Sequence, residues 1–122
     1  MKIVKYVGAV LATLLCFSQA SANDWSTADT VRQAAVLATF AVDYKQTSDI
    51  KDHPGMYETN PLLGPHPSQR TIRAYFITAA LVHTGVMALL PPDTRAAVQY
   101  GTIVLQVAVI GHNKYIGLKT SW

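Results

Sequence analysis

Hydrophobic and polar positions divide the chain into a short apolar N-terminal segment and three longer helical segments, predicted at about 26–47, 68–90 and 94–118. The second segment contains 19 residues without a formal charge (74–92), and the third contains 18 (96–113). A transmembrane helix needs about 20 predominantly apolar residues. The pattern therefore predicts an all-α fold, a small membrane bundle of three helices after an N-terminal signal peptide, or four helices if the signal is retained.

Residues 1–22 have the three parts of a secretory signal. Lys2 and Lys5 precede an apolar stretch from Val7 to Phe17, and Ala20-Ser21-Ala22 supplies the small residues that a signal peptidase accepts. We expect cleavage after Ala22, which leaves 23–122 as a single helical membrane domain.

Two alternatives to a cleaved signal peptide stay open. The same segment is long and apolar enough for an uncleaved signal anchor. Cys16 follows an apolar run, as in a lipoprotein, but Leu15 stands where a lipoprotein signal normally has a small residue.

The first helical segment combines an apolar surface with one polar stripe. Ser26 and Asp29 resemble a capping box, with Asp in place of the usual Glu. Thr39, Asp43 and Gln46 recur at i, i+4 and i+7, which places them on one helix face. Alone, this segment is a marginal membrane span.

The segment 48–67 contains four prolines and two glycines, a composition that excludes regular structure. Ser68 is the expected N-cap of the second helix, which Pro91-Pro92 should end. Asn60-Pro61 favours a turn, and Glu58 and Asn60 are expected to cap a helix end or to hold the loop through hydrogen bonds. Its apolar residues are expected to pack on the helices or to enter the membrane interface: Met56, Tyr57, Leu62 and Leu63.

Basic residues are distributed unequally between the two sides of the predicted bundle. If the mature N-terminus starts outside and all three helices span, Arg32 and Arg95 face out. Six basic residues then face the cytoplasm: Lys45, Lys51, Arg70, Arg73, Lys114 and Lys119. This bias obeys the positive-inside rule and predicts a bacterial inner-membrane protein with a periplasmic N-terminus and a cytoplasmic C-terminus. If the first helix lies flat, the arrangement inverts.

Composition excludes several classes of protein. Half of the residues are hydrophobic and 14% are charged, whereas soluble domains average about 25% charged residues. The net charge of +3 falls to +1 once Lys2 and Lys5 leave with the signal, since 8 basic residues then face 7 acidic ones. This charge does not indicate a nucleic-acid partner. A single cysteine excludes an intramolecular disulfide and a multi-cysteine zinc site.

Three motifs carry a resemblance to a known group of proteins. They are Asp43-Tyr44-x-Gln46-Thr47, then Glu58-x-Asn60-Pro61-Leu62-Leu63-Gly64-x-His66-Pro67, then Gly111-His112-Asn113. The chain resembles a group of small, uncharacterised membrane proteins encoded by tailed phages, prophages and proteobacteria. This resemblance implies a membrane location and a bacterial or phage source, and it implies no activity.

The polar residues of the predicted spans supply the candidate site. Helix rise places Asp43 and His112 roughly 6–9 Å from the cytoplasmic end, near the Glu58–Asn60 loop. His83 lies deeper and apart. The expected cluster is Asp43, Gln46, Glu58, Asn60, His112 and Asn113.

Two interpretations of this cluster stay open. Its members form either a structural hydrogen-bond network or a metal or proton site with Asp43, Glu58 and His112 as weak candidate ligands. No His-Glu-x-x-His, Cys-x-x-Cys or Gly-x-Ser-x-Gly motif is present. The sequence therefore identifies no catalytic residue and predicts no cofactor.

Three hypotheses for function follow. The first is a non-enzymatic integral inner-membrane protein, a phage or prophage accessory factor that acts through helix–helix contacts with itself or another membrane protein. Small residues in the second and third spans favour such contacts: Gly85, Ala88, Gly101 and Ala108. The second is a small membrane enzyme or a metal- or proton-handling protein. The third is a soluble secreted bundle.

Overall fold

The structure is a computed structural model that describes residues 24–122. Within this range it contains three α-helices and no strand: α1 (Thr27–Asp49), α2 (Gln69–Leu89) and α3 (Pro92–Tyr115), with a short 3-10 helix at Ile50–Asp52 after α1. The prediction of an all-helical fold with three helices is confirmed. The predicted signal peptide, and the alternatives based on Cys16 or an uncleaved anchor, lie outside the described residues.

Helix α1 is the central element of the bundle, because it packs against both α2 and α3, which contact each other much less. Helices α1 and α3 run parallel: Asp29 pairs with Arg95 near their N-termini, and Gln46 pairs with Asn113 near their C-termini. Helix α2 runs antiparallel to both. We call the end where α1 ends, α2 begins and α3 ends the loop end, and the other the opposite end.

Side chains fix the starts of α1 and α2. Asp29 N–H donates to Ser26 Oγ over 3.1 Å, and Ser26 N–H donates to the Asp29 carboxylate over 2.8 Å. The predicted capping box is therefore confirmed. Ser68 is the N-cap of α2, as predicted, and its hydroxyl accepts from Thr71 N–H over 3.1 Å.

Helix α3 begins two residues earlier and ends three residues earlier than the predicted segment 94–118. Pro92 occupies its first turn, where a missing N–H costs nothing and the fixed φ suits a helix. At the other end Gly117 has φ +100°, a left-handed conformation that favours glycine. Leu118 N–H then donates to Asn113 O over 2.9 Å, which closes a Schellman motif.

The loop between α1 and α2 folds back on its own backbone. Asn60 Oδ1 accepts from Leu62 N–H over 3.0 Å, and Glu58 Oε1 accepts from Asn60 N–H over 2.8 Å. Leu63 is buried with residues of α2 in the main apolar cluster. Of the four apolar loop residues expected to pack or to meet the interface, Leu62 and Tyr57 are 79% and 63% exposed.

The buried interior of the bundle contains as many polar or charged residues as hydrophobic ones. In the described range six hydrophobic residues are buried, and so are six polar or charged ones: Asp29, Gln33, Gln46, Thr47, Arg95 and Gln99. Large apolar residues cover the outside of all three helices, among them Val31, Leu37, Ile77, Leu81, Val82, Val104, Leu105 and Val107.

Helix α2 alone among the described helices is long and apolar enough, by length and composition, to cross a membrane. Few of its residues are buried, so it is not the enclosed core helix of the described chain. Helices α1 and α3 do not meet the same criterion.

Candidate functional site

Arg95 is the centre of a polar network at the opposite end of the bundle. Its side chain is fully buried and donates to Asp29 Oδ2 over 2.8 Å. It also donates to the carbonyl oxygens of Met87, over 2.8 Å, and Leu90, over 2.9 Å. The guanidinium thus joins α1, α2 and α3. Asp29 additionally forms an ion pair with Arg32, so one carboxylate serves two arginines.

Gln99 and Gln33 continue this network toward the middle of the bundle. Gln99 Oε1 accepts from Arg32 Nε over 2.8 Å, and Gln99 Nε2 donates to Gln33 Oε1 over 3.2 Å. Gln33 Nε2 reaches His83 Nδ1 at 3.1 Å and Thr84 Oγ1 at 2.9 Å. His83 Nε2 lies 3.1 Å from Thr102 Oγ1. We call these residues the polar seam: Asp29, Arg32, Gln33, His83, Thr84, Arg95, Gln99 and Thr102.

Most of the polar seam was not predicted from the sequence. His83 was predicted to lie apart from the six-residue cluster, and its ring nitrogens contact Gln33 and Thr102 of the seam. A signal was present in α3, where Arg95, Gln99, Thr102 and Gln106 recur with spacings of 4, 3 and 4 residues. This spacing marks one helix face. Arg95 and Gln99 on it contact α1, and Thr102 contacts His83 of α2.

A second polar group lies at the loop end and contains part of the predicted cluster. Asn113 Nδ2 donates to Asp43 Oδ1 over 3.3 Å and to Gln46 Oε1 over 3.2 Å. Gln46 Nε2 donates to Ile110 O over 3.2 Å. These contacts hold α1 against α3 and leave Asp43 half-buried.

The other three residues of the predicted cluster are arranged differently. Glu58 and Asn60 make the loop hydrogen bonds already described and do not bond to the helices through those oxygens. His112 is exposed, and within residues 24–122 it makes no side-chain hydrogen bond to Asp43 or Glu58.

A cavity of about 560 Å³ brings the predicted residues into one space. It lies at the loop end, between α1, α2, α3 and the loop. Asp43, Glu58, Asn60, His112 and Asn113 all line it. Aromatic side chains form another part of its wall: Phe40, Tyr75 and Phe76. We call this space the loop-end cavity.

The arrangement of ionisable residues bears on the metal interpretation. In the described part of the chain, no group of three His, Cys, Asp or Glu residues is placed to hold a metal ion. Asp43 and Glu58 supply two carboxylates to the loop-end cavity. Gln106 also lines the cavity, but its Oε1 is buried and has no hydrogen-bond partner within residues 24–122. The cavity therefore combines two acidic side chains with aromatic rings.

Comparison of the chain with protein-family models, with curated proteins and with solved structures gives no match. The resemblance to small phage and proteobacterial membrane proteins stays a prediction from the three motifs. The geometry of the polar seam and of the loop-end cavity is therefore the basis for the function proposed next.

Proposed function

We propose that this protein is a small, non-enzymatic integral protein of a bacterial inner membrane, with all three helices spanning the bilayer. The observation that supports this proposal is the inverted distribution of side chains. Large apolar residues face outward, while four residues of the polar seam are buried inside the bundle: Asp29, Gln33, Arg95 and Gln99. In water, exposed apolar surface and buried charge are both unfavourable. In a bilayer, lipid solvates the apolar outside, and ionisable residues face the bundle interior.

Helix length and aromatic residues fit this placement. Twenty residues separate Asp29 from Asp49, which corresponds to about 30 Å of helix, the thickness of a bilayer's hydrocarbon core. Trp25 lies at the opposite end, with its ring 4.9 Å from the Arg95 guanidinium. Trp122 lies at the loop end, with its ring 5.0 Å from Lys45 Nζ. Tryptophan is enriched at both membrane–water interfaces.

Basic residues support one orientation. The six basic residues predicted to be cytoplasmic all belong to the loop end or its neighbouring segments. The two arginines of the opposite end, Arg32 and Arg95, both form ion pairs with Asp29. Basic charge that is free to interact with the cytoplasmic surface is thus concentrated at the loop end. We therefore propose a periplasmic opposite end and a cytoplasmic loop end.

The polar residues of α1 and α3 explain why a hydropathy criterion selects α2 alone. Gln33 and Gln99 lie between the two helices and are at least 96% buried. A mean hydropathy counts these residues, although lipid would not contact them. Helices α1 and α3 can therefore span as a pair that shares one polar interior.

Fusion reporters test the orientation. We expect alkaline phosphatase fused after Trp122 to be inactive and green fluorescent protein at the same position to fluoresce, because the former works only outside the inner membrane and the latter only inside. The same pair inserted between Leu90 and Pro91 should give the reverse result. Phosphatase activity after Trp122 would overturn the orientation.

Extraction tests membrane integration. We expect the full chain to stay in the membrane pellet after an alkaline carbonate wash and to be released by mild detergent, because its apolar outside is solvated by lipid. A peripheral membrane protein processed in parallel serves as the control. Release by carbonate alone would contradict the integral assignment and favour the soluble secreted bundle.

Helix–helix contact is the proposed mode of action, in keeping with the proposed phage or prophage accessory role. Gly101 and Ala108 lie exposed on α3, and a Cβ built on Gly101 meets no atom within 4 Å. Small residues let a second transmembrane helix approach closely. We expect Gly101→Leu to reduce cross-linking between copies in membranes, whereas Val107→Leu, elsewhere on α3, should not. Equal cross-linking of both variants and the parent would contradict self-association through this face.

A further inference from the structure

The hydrogen bonds of the polar seam have a fixed direction at Gln99. Arg32 Nε can only donate, and it donates to Gln99 Oε1 over 2.8 Å. The backbone oxygen of Asp29 can only accept, and it accepts from Gln99 Nε2 over 3.1 Å. Turning the Gln99 amide would place its NH2 group against Arg32 and its oxygen against the Asp29 oxygen. Its two neighbours therefore determine its orientation.

The same direction continues through Gln33. Gln99 Nε2 uses its second hydrogen to donate to Gln33 Oε1 over 3.2 Å. The Gln33 amide must therefore present its oxygen to Gln99 and its NH2 group to α2. There Gln33 Nε2 donates to Thr84 Oγ1 over 2.9 Å and faces His83 Nδ1 at 3.1 Å. Only an acceptor satisfies this last contact, so Nδ1 carries no hydrogen.

The other ring nitrogen of His83 completes the chain of hydrogen bonds. In a neutral imidazole without a hydrogen on Nδ1, Nε2 carries the hydrogen. It donates to Thr102 Oγ1 over 3.1 Å, and the Thr102 hydroxyl donates in turn to Val98 O over 2.9 Å. The chain from Arg32 Nε to Val98 O thus pairs each donor with an acceptor in one arrangement, which requires a neutral His83.

A second proton on His83 breaks this chain. An imidazolium carries a hydrogen on both nitrogens, so rotating the ring does not restore an acceptor for Gln33. Two donors would then face each other at 3.1 Å. Gln33 cannot turn its oxygen toward the ring without placing its NH2 group against that of Gln99. The contact between Gln33 and His83 is therefore lost on protonation.

The side chains around His83 do not compensate the added charge. Helix α1 presents Gln33 and the Phe40 ring, whose centroid lies 5.8 Å from that of the imidazole, and α3 presents Thr102. None of these three groups titrates. In the described part of the chain, no charged or titratable residue of the seam or of the loop-end cavity forms a hydrogen bond or ion pair with His83: Asp29, Arg32, Asp43, Glu58, Arg95 and His112.

His83 and Thr84 provide the polar links of the middle of α2. The other hydrogen bonds that join α2 to α1 or α3 among residues 24–122 lie near the ends of α2: Gln69–Ser48, Met87–Arg95 and Leu90–Arg95. Helices α2 and α3 otherwise contact each other little. Phe40, which packs edge-on against His83, also forms part of the wall of the loop-end cavity. A movement of α2 at His83 therefore changes the cavity.

We propose that His83 is a protonation switch that controls how α2 packs on the pair formed by α1 and α3. While His83 is neutral, with its hydrogen on Nε2, α2 is held against both helices. Protonation at Nδ1 releases the middle of α2 and widens the loop-end cavity beside Phe40. Helices α1 and α3 stay joined, because the Asp29–Arg95 and Gln46–Asn113 contacts do not involve His83. This switch does not depend on the proposed orientation in the membrane.

Nitrogen NMR of the detergent-purified full chain with 15N-labelled histidine tests the neutral state. The His83 signals are those that disappear in His83→Gln. At about pH 8 we expect a hydrogen on Nε2 and none on Nδ1, because most histidines are neutral at this pH. A hydrogen on Nδ1 at this pH would overturn the proposal, since Gln33 would then face a donor in the neutral state.

Distances between spin labels test the release of α2. The labels occupy Ile77→Cys on α2 and Val107→Cys on α3, two exposed positions, in a Cys16→Ser background. Between about pH 8 and about pH 5, where histidine titrates, we expect the ratio of short to long distances to fall at least about tenfold. This change corresponds to the loss of one hydrogen bond to a charged group. A reference pair, Val31→Cys on α1 with Val107→Cys, should keep its distance.

Two variants of the seam separate this switch from a general effect of acid. His83→Gln offers an amide oxygen to Gln33 and an NH2 group to Thr102 without titrating, so its α2–α3 distance should not change with pH. Gln33→Glu offers carboxylate oxygens to Gln99 and to the protonated ring, so its α2–α3 distance should stay short at about pH 5. His112→Gln is the matched control, since His112 is exposed and lies outside the seam, and it should respond as the parent does.

Three outcomes of the distance measurements would overturn the switch. The first is an α2–α3 distance in the parent that does not change with pH. The second is an equal response of His83→Gln and the parent, which would assign the response to another group. The third is a distance in Gln33→Glu that lengthens as much as in the parent, which would show that the two facing donors are not its cause.

Discussion

Arg95→Met is expected to lower the free energy of unfolding by about 3–5 kcal/mol, the usual cost of removing one partner of a buried ion pair. The Arg95 side chain is fully buried and donates to Asp29 and to the carbonyl oxygens of Met87 and Leu90. Methionine fills a similar volume and donates no hydrogen bond. The variant therefore leaves three carbonyl oxygens, those of Asp24, Met87 and Leu90, without this donor and reduces the neutralisation of Asp29. Denaturant titration in mild detergent, followed by far-ultraviolet circular dichroism, measures the change.

Two further variants separate loss of this network from loss of a positive charge. Arg73→Met removes an exposed guanidinium from α2 and should change stability by less than about 0.5 kcal/mol. Arg95→Lys keeps the charge and loses the planar fork of donors, so its stability should fall between that of Arg95→Met and the parent. If Arg95→Met and Arg73→Met were equally stable, Arg95 would not hold the three helices together.

Local signals made much of the fold predictable. Helix α1 begins with a capping box that two residues encode, Ser26 and Asp29, and Ser68 starts α2 through the same kind of bond. The start of α3 was predicted two residues late because the prolines at 91 and 92 act on two helices. They stop α2, and Pro92 at the same time occupies the first turn of α3.

The polar seam was harder to predict because it depends on how two distant segments align. Asp29 and Arg95 are 66 residues apart, and nothing in either local sequence gives the parallel register that joins them. Each residue alone also fits a membrane-interface position near a helix end. Only the pairing of α1 with α3 shows that the two charges neutralise each other inside the bundle.

Most residues of the candidate site could be predicted from the sequence, but only some of the hydrogen bonds between them could. Asp43, Gln46 and Asn113 form direct hydrogen bonds, as helix rise and a shared end of the bundle suggested. The side chains of Glu58 and Asn60 accept hydrogen bonds from N–H groups of the loop, because those groups lie only two residues away in the chain. The cavity itself could not be predicted, because its walls come from three helices and the loop, whose packing local sequence does not give.

Gln99→Leu is expected to lower the free energy of unfolding by about 2–3 kcal/mol. Gln99 is fully buried, accepts from Arg32 Nε, and donates to Asp29 O and Gln33 Oε1. Leucine replaces none of these bonds, and each unpaired buried polar group costs about 1–3 kcal/mol. Gln69→Leu is the matched control, because the half-buried Gln69 donates one longer bond, 3.3 Å to Ser48 O. We expect it to cost less than about 1 kcal/mol.

A double-mutant cycle with Gln33→Leu shows whether the two glutamines act as one unit. Each single variant leaves the opposite amide without its partner, whereas the double variant places two leucines against each other in the bundle interior. The double variant should therefore be more stable than the sum of the single changes predicts, with a coupling of about 0.5–3 kcal/mol. The full sum is not recovered, because Gln33 also bonds to His83 and Thr84. Strict additivity of the two changes would mean that the glutamines do not interact in the folded protein, and the polar seam would then be two separate groups.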